Sequence, residues 1–127
     1  MFDLILVNDM LTQVKIALLR IERRFKGINT HTDFYLNDEN HDKLDAIAML
    51  LIAIGESFKK IDKITNKKLL IIYPEIDWKG LMGARDVLAH DYFDINSEQV
   101  FNICLEDIPF LLQIVDKMII EINRSLV

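Results

Sequence analysis

Apolar residues recur at Leu4, Val7, Leu11, Val14, Leu18, Ile21 and Phe25, in alternating steps of three and four. That spacing lines one face of an α-helix about three heptads long. Lys26 and Gly27 end it with a cation in the last turn and a glycine just beyond. A second stripe, Leu44, Ile47, Leu51, Ile54, Phe58 and Ile61, has the same alternation, with Asn37 or Asp38 as its cap. Two matched stripes predict two long helices packed antiparallel. The polar residues between them, 28–36, predict a loop with a short turn of helix.

Beyond Ile61 the periods shorten. Asn66 to Tyr73 reads as a brief helix stopped by Pro74. Asp77 then caps a helix carrying Trp78, Leu81, Met82, Arg85 and Leu88. Asn96 or Ser97 begins another, and Pro109 marks a kink or a restart capped by Asp107. The last segment, Ile108 to Leu126, carries Leu111, Leu112, Val115, Met118, Ile119 and Ile122. No segment alternates as a strand would. The expectation is an all-α fold, an antiparallel helical bundle with two long helices and several shorter ones, forming a single domain over 1–127.

Composition changes this picture little. The chain has 127 residues, 51% apolar and 28% charged, which suits one core without disulfides and excludes disorder. Cys104, the single cysteine, lies among Ile103 and Leu105 and reads as a buried, inert thiol. Met1 to Val7 lacks the basic start and cleavage site of a signal peptide. No apolar run approaches the ~20 residues that span a bilayer, so the expected location is cytoplasmic, with no membrane partner. The net charge of −5 disfavours broad binding to phosphate backbones, though it leaves room for a small basic site. Arg20, Arg23, Arg24, Lys26, Lys59, Lys60, Lys67 and Lys68 read better as solvated helix faces than as such a site. His31, His41 and Cys104 lack the close spacing of zinc ligands. The aspartates lack calcium-loop grammar, and the four glycines are isolated. No metal site and no cofactor are expected.

The densest chemistry lies in Arg85-Asp86-Val87-Leu88-Ala89-His90-Asp91-Tyr92, of the form R-x4-H-x-Y. An arginine holds a phosphate with its planar fork of donors, and a histidine moves a proton near neutral pH. Positions 85 and 90 are about 140° apart around an ideal helix, whereas Asp86 and His90 share a face. A joint site therefore needs a helix ending near Ala89, or an arginine that wraps around. Asp91 to Asp94 and the cap at Asn96 favour the early end. His90 would then sit where terminal carbonyls, and Asp86, favour its protonated form. Spacing alone argues for a surface histidine at a helix end, Arg85 in an ion pair and Tyr92 at the core edge. Glu56 reads as a surface acid or as a group that orients Arg85.

The surroundings tip the balance. Ile54-Gly55-Glu56-Ser57, then Tyr73-Pro74-Glu75-Ile76-Asp77-Trp78, then Met82-Gly83-Ala84-Arg85-Asp86 and His90-Asp91-Tyr92-Phe93-Asp94 follow in order. The chain resembles the HepT-like branch of the HEPN superfamily, whose members read approximately IGE, HPEIPW and GxRNxLxHxYF. The resemblance runs from about Leu4 to Leu126 and is most specific between Gly55 and Asp94. Three positions depart from it: Tyr73 for His, Asp86 for Asn, and Asp91 for Glu or Gly. The first is expected to matter little, and the second to alter the charge beside the site.

The resemblance implies a homodimeric, metal-independent endoribonuclease with Arg85 and His90 of both copies in one cleft. RNA supplies the 2′-hydroxyl nucleophile, 2′,3′-cyclic phosphate ends result, and DNA is left intact. It also implies the toxin of a toxin–antitoxin pair. The partner is then a MntA-type nucleotidyltransferase that silences the toxin by adding AMP to Tyr92. A non-catalytic helical module that docks substrates for a nucleotidyltransferase is the competing reading, and a purely structural helical dimer is a third. The intact Arg85/His90 pair favours the first.

Overall fold

Asp3 starts the first helix: its carboxylate accepts the Leu6 N–H at 3.0 Å, satisfying one of the orphan donors of a helix N-terminus. In this computed structural model residues 3–90 and 93–126 are described, and for residues 85–87, 89 and 90 the backbone alone. Helix α1 runs Leu4–Phe25 and buries Val7, Leu11, Val14, Leu18 and Ile21, five positions of the first stripe. Gly27, at φ 84°, sits in the left-handed region just past the end, where a side chain would be strained. Asn37 caps α2, Asp38–Ile64, by accepting the Asn40 N–H at 2.8 Å. All six residues of the second stripe are buried there.

Between the two helices a 3-10 turn, His31–Tyr35, forms within the predicted loop. Its Phe34 is fully buried. Asp33 accepts the Asn29 and Thr30 N–H groups at 2.8 and 3.1 Å, and those bonds hold its carboxyl below the usual range.

Two expectations fail locally. The brief helix over Asn66 to Tyr73 reduces to one 3-10 turn, Leu70–Ile72. Asn66 and Lys67 take φ of 53° and 60°. Lys67 N–H reaches the Asp62 carbonyl at 2.8 Å and Asn66 N–H the Lys63 carbonyl at 3.1 Å. That is a Schellman ending with asparagine in the usual glycine place, and two left-handed residues cannot begin a right-handed helix. The second failure is the restart at Pro109. Helix α4, Ser97–Asn102, passes into a π-helical turn, Ile103–Asp107, and then into α5, Ile108–Leu126. Asn102, Ile103 and Ile108 all keep right-handed helical dihedrals, so the backbone is continuous. Proline's ring clashes with the carbonyl four residues back and donates no hydrogen bond. Widening the preceding turn accommodates both. Asp107 is therefore part of that turn rather than the cap of a new helix.

Helix α1 packs against both α2 and α5, and α3, Trp78–His90, packs along α2. Among the described residues there is no strand, and the fold is an all-α bundle. The buried side chains form one continuous cluster running from Val7 to Ile122. Cys104 lies within it, unpaired, and burial pushes its thiol up to about 12, so it stays protonated and inert as expected. No described helix is long and apolar enough to cross a membrane.

Core packing, not surface charge, should dominate stability. Phe58 is fully buried, with its ring centroid 4.8 Å from that of Trp78. Phe58→Ala should cost about 3–5 kcal/mol. The Lys15–Asp116 pair is short at 2.7 Å, but both side chains are about 40% exposed, and Lys15→Ala should cost under about 1 kcal/mol. Urea denaturation midpoints of the two variants check this ordering.

Candidate active site on helix α3

The motif's helix is fixed at its start. Asp77 accepts the Gly80 N–H at 3.0 Å, and its carbonyl takes the Leu81 N–H at the same distance, as expected of the cap. Trp78 stacks obliquely on Phe58 of α2, its ring tilted 52°. Its indole N–H donates to the Tyr73 carbonyl at 2.9 Å. Tyr73 in turn is buried, and its hydroxyl donates to Glu121 Oε2 on α5 at 2.8 Å. Lys117 lies 5.8 Å from the centre of the same ring and 3.6 Å from Glu75. Tyr73 is thus a working part of the frame, tying the segment before α3 to α5.

From Trp78 the helix continues to His90. Arg85 and His90 both lie within it. Ala89 and His90 are both still helical, and the end expected near Ala89 falls where the described residues stop. The backbone register leaves positions 85 and 90 about 140° apart around the axis, and Asp86 and His90 on one face. The side chains of Arg85, Asp86 and His90 lie outside the described residues, as do Asp91 and Tyr92 altogether. Glu56 is half-buried within α2, the helix against which α3 packs. Among the described residues no three His, Cys, Asp or Glu side chains gather as metal ligands.

Sequence reasoning passes over the groove at the far end of α3. A cavity of about 510 Å³ opens there, bordered by His31, Tyr35, Leu88, Asp94 and the first residues of α4. Leu88 and Asp94 stand on either side of the motif's last residues in the chain. The only sequence signal is His31, Phe34 and Tyr35 in an otherwise mostly polar loop.

Among the described residues the chain is a bundle of helices, with Arg85 and His90 on one of them. The family model described as Ribonuclease HepT-like matches residues 14–118, a span containing Glu56, Arg85, His90 and Tyr92, and the chain belongs to that family. It is similar to two proteins of Methanocaldococcus jannaschii, each carrying the name "Putative RNase". The first is 33% identical over 92 residues, 72% of this chain and 70% of the relative. The second is 36% identical over 78 residues, 61% of each chain. A Thermococcus cleftensis protein named "Probable ribonuclease HepT" is 33% identical over 66 residues, 52% of this chain and 56% of the relative. The last two matches span less than two thirds of the relatives' lengths. No solved structure matches the chain.

The Tyr73 frame is testable through its titration. Burial and the Glu121 carboxylate raise the phenol's pKa above its usual value. Stability from this group is full below the unfolded pKa of about 10 and falls as pH rises from there toward the folded value, by about 1.4 kcal/mol per pH unit. Tyr73→Phe should cost roughly 1–2 kcal/mol at neutral pH and flatten that alkaline loss. Urea melts at pH 7 and pH 11 should show both effects together.

Proposed function

We propose that the chain is a metal-independent endoribonuclease, the toxin of a toxin–antitoxin pair, acting as a homodimer through Arg85 and His90. Family membership supports the ribonuclease reading. The observation that carries the mechanism is the placement of both residues on one helix, five positions apart. One helix offers one proton-transfer group and cannot present both positions on one face. A second copy supplies the missing parts. One His90 takes the proton from the RNA 2′-hydroxyl, whose oxygen attacks the adjacent phosphorus. The other His90 protonates the departing 5′ oxygen, and the two Arg85 forks neutralise the crowded phosphorane. The products are a 2′,3′-cyclic phosphate and a free 5′-hydroxyl. The surface beside α3 suits a second copy: Ile71 is 74% exposed and borders a groove shared with Met82 and Gly83.

Regulation follows from Tyr92, two residues after His90 in the sequence. In this reading its phenol oxygen attacks the α-phosphorus of ATP in the site of a MntA-type nucleotidyltransferase. Pyrophosphate leaves, and AMP remains on the tyrosine. The added anion stands close to His90, where it blocks the cleft and repels RNA phosphate.

The expected outcomes are specific. Arg85→Ala and His90→Ala should each lower RNA cleavage by about two to four orders of magnitude with helicity unchanged, and Arg85→Lys should also be poor. Cleavage should survive EDTA, and light scattering should give a dimer. Retained cleavage by His90→Ala, or a metal requirement, would falsify the mechanism. With the cognate nucleotidyltransferase and ATP, intact mass should rise by one AMP on the wild type and not on Tyr92→Phe. Equal labelling of both moves the modification to another residue.

A further inference from the structure

The groove beside the motif has a construction that its own loop does not need. Tyr35 leaves 53% of its surface in water, yet its ring is held. The edge of one ring meets the face of the other between Tyr35 and His41, 5.3 Å between centroids and 79° between planes. Its hydroxyl points to the Ile95 carbonyl, 3.4 Å away. The turn beneath is anchored by fully buried Phe34 and by the Asp33 cap. Asn40 Nδ2 also donates to the Asp33 carbonyl at 2.9 Å. An exposed aromatic ring fixed in place is a stacking platform, prepaid in entropy.

The opposite wall is polar and carries negative charge. Asp94 and Glu98 are exposed there, and Gln99 is half-buried. Carboxylates repel phosphate but accept hydrogen bonds from exocyclic amines of bases. Leu88, on the groove's floor, is two residues or about 3 Å of helix rise before His90.

We infer that this groove is the subsite for a nucleobase next to the cleaved phosphodiester, with Tyr35 stacking the base and Asp94 and Glu98 selecting one that bears an amino group. Adenine, cytosine or guanine fits this wall. Uracil fits less well, since it has no exocyclic amine and its one edge donor, N3–H, is flanked by two carbonyl acceptors that face the carboxylates. The inference rests on the ribonuclease reading above, with phosphate at Arg85 and base in the groove.

The test uses DNA strands carrying a single ribonucleotide, so that only one bond has an adjacent 2′-hydroxyl. The bases on each side of that bond are varied through all four. The full-length wild type should show a higher kcat/KM where an amino-bearing base flanks the bond than where uridine or thymidine does. Tyr35→Ala should lower kcat/KM about tenfold, mostly through KM, while Tyr35→Phe stays near wild type. Asp94→Asn with Glu98→Gln should erase the base preference while cleavage persists. His31→Ala supplies a second groove variant should Tyr35→Ala fold poorly, and it should raise KM as well. Cleavage with no base preference in the wild type, or groove variants with unchanged KM and pattern, overturns the subsite while leaving the nuclease standing. A wild type that cuts none of these strands, and no all-RNA strand either, overturns the nuclease reading and the subsite with it.

Discussion

Where α3 points depends on the packing of Trp78 against Phe58. A helix of 13 residues is marginal in water by itself, and α3 carries a glycine at Gly80 and another at Gly83, each costing about 1 kcal/mol of helix propensity. Tertiary contact must supply the difference. Phe58 belongs to the buried stripe of α2, and Trp78 opens α3 immediately after its Asp77 cap. The indole N–H then reaches Tyr73, whose hydroxyl reaches Glu121. One aromatic pair and two hydrogen bonds thus join α2, α3 and α5. They are all at the start of α3, some twelve residues from His90. The motif end is held instead by Leu88, which is buried, and by the helix between.

The long helices are legible in the sequence because their stripes are long, regular and closed by recognisable ends. Asn37, Asp77 and Asn96 are side-chain caps that the sequence announces, and each accepts the N–H three residues on. The failures come where backbone conformation outweighs pattern. Asn66-Lys67-Lys68 looks helix-compatible residue by residue, yet the helix before it ends by turning left-handed at two of them. Lysine there has no propensity signal, and only the asparagine hints at it. Pro109 announces a break, but a π turn absorbs it without one. A proline rule fixes what is forbidden at one carbonyl, not how the chain avoids it.

The site is less legible than the fold, for a different reason. Arg85 and His90 at five positions' separation carry little weight alone, because helix register separates them. Their meaning comes from the ordered neighbours at Gly55, Pro74, Trp78 and Gly83, and then from the family match. Tyr73 shows the converse: nothing in its sequence position announces its bond to Glu121 on α5. Tyr35 is invisible for a third reason. Periodicity registers burial, and an aromatic fixed in place while left in water has no periodic signature.

Charge connects these observations. A chain with net charge −5 cannot rely on displacing many counterions from RNA, the route by which basic proteins gain most of their affinity. Few contacts must then do the binding, and each must be strong or selective. In the proposed mechanism, two arginine forks from two copies would meet the phosphate requirement without a basic surface. Carboxylates in the adjoining groove would be a liability to a protein that grips backbone, and an asset to one that reads amino groups on bases. The acidic composition and the polar groove therefore point the same way, toward recognition of a base at a single scissile bond rather than general attraction to nucleic acid.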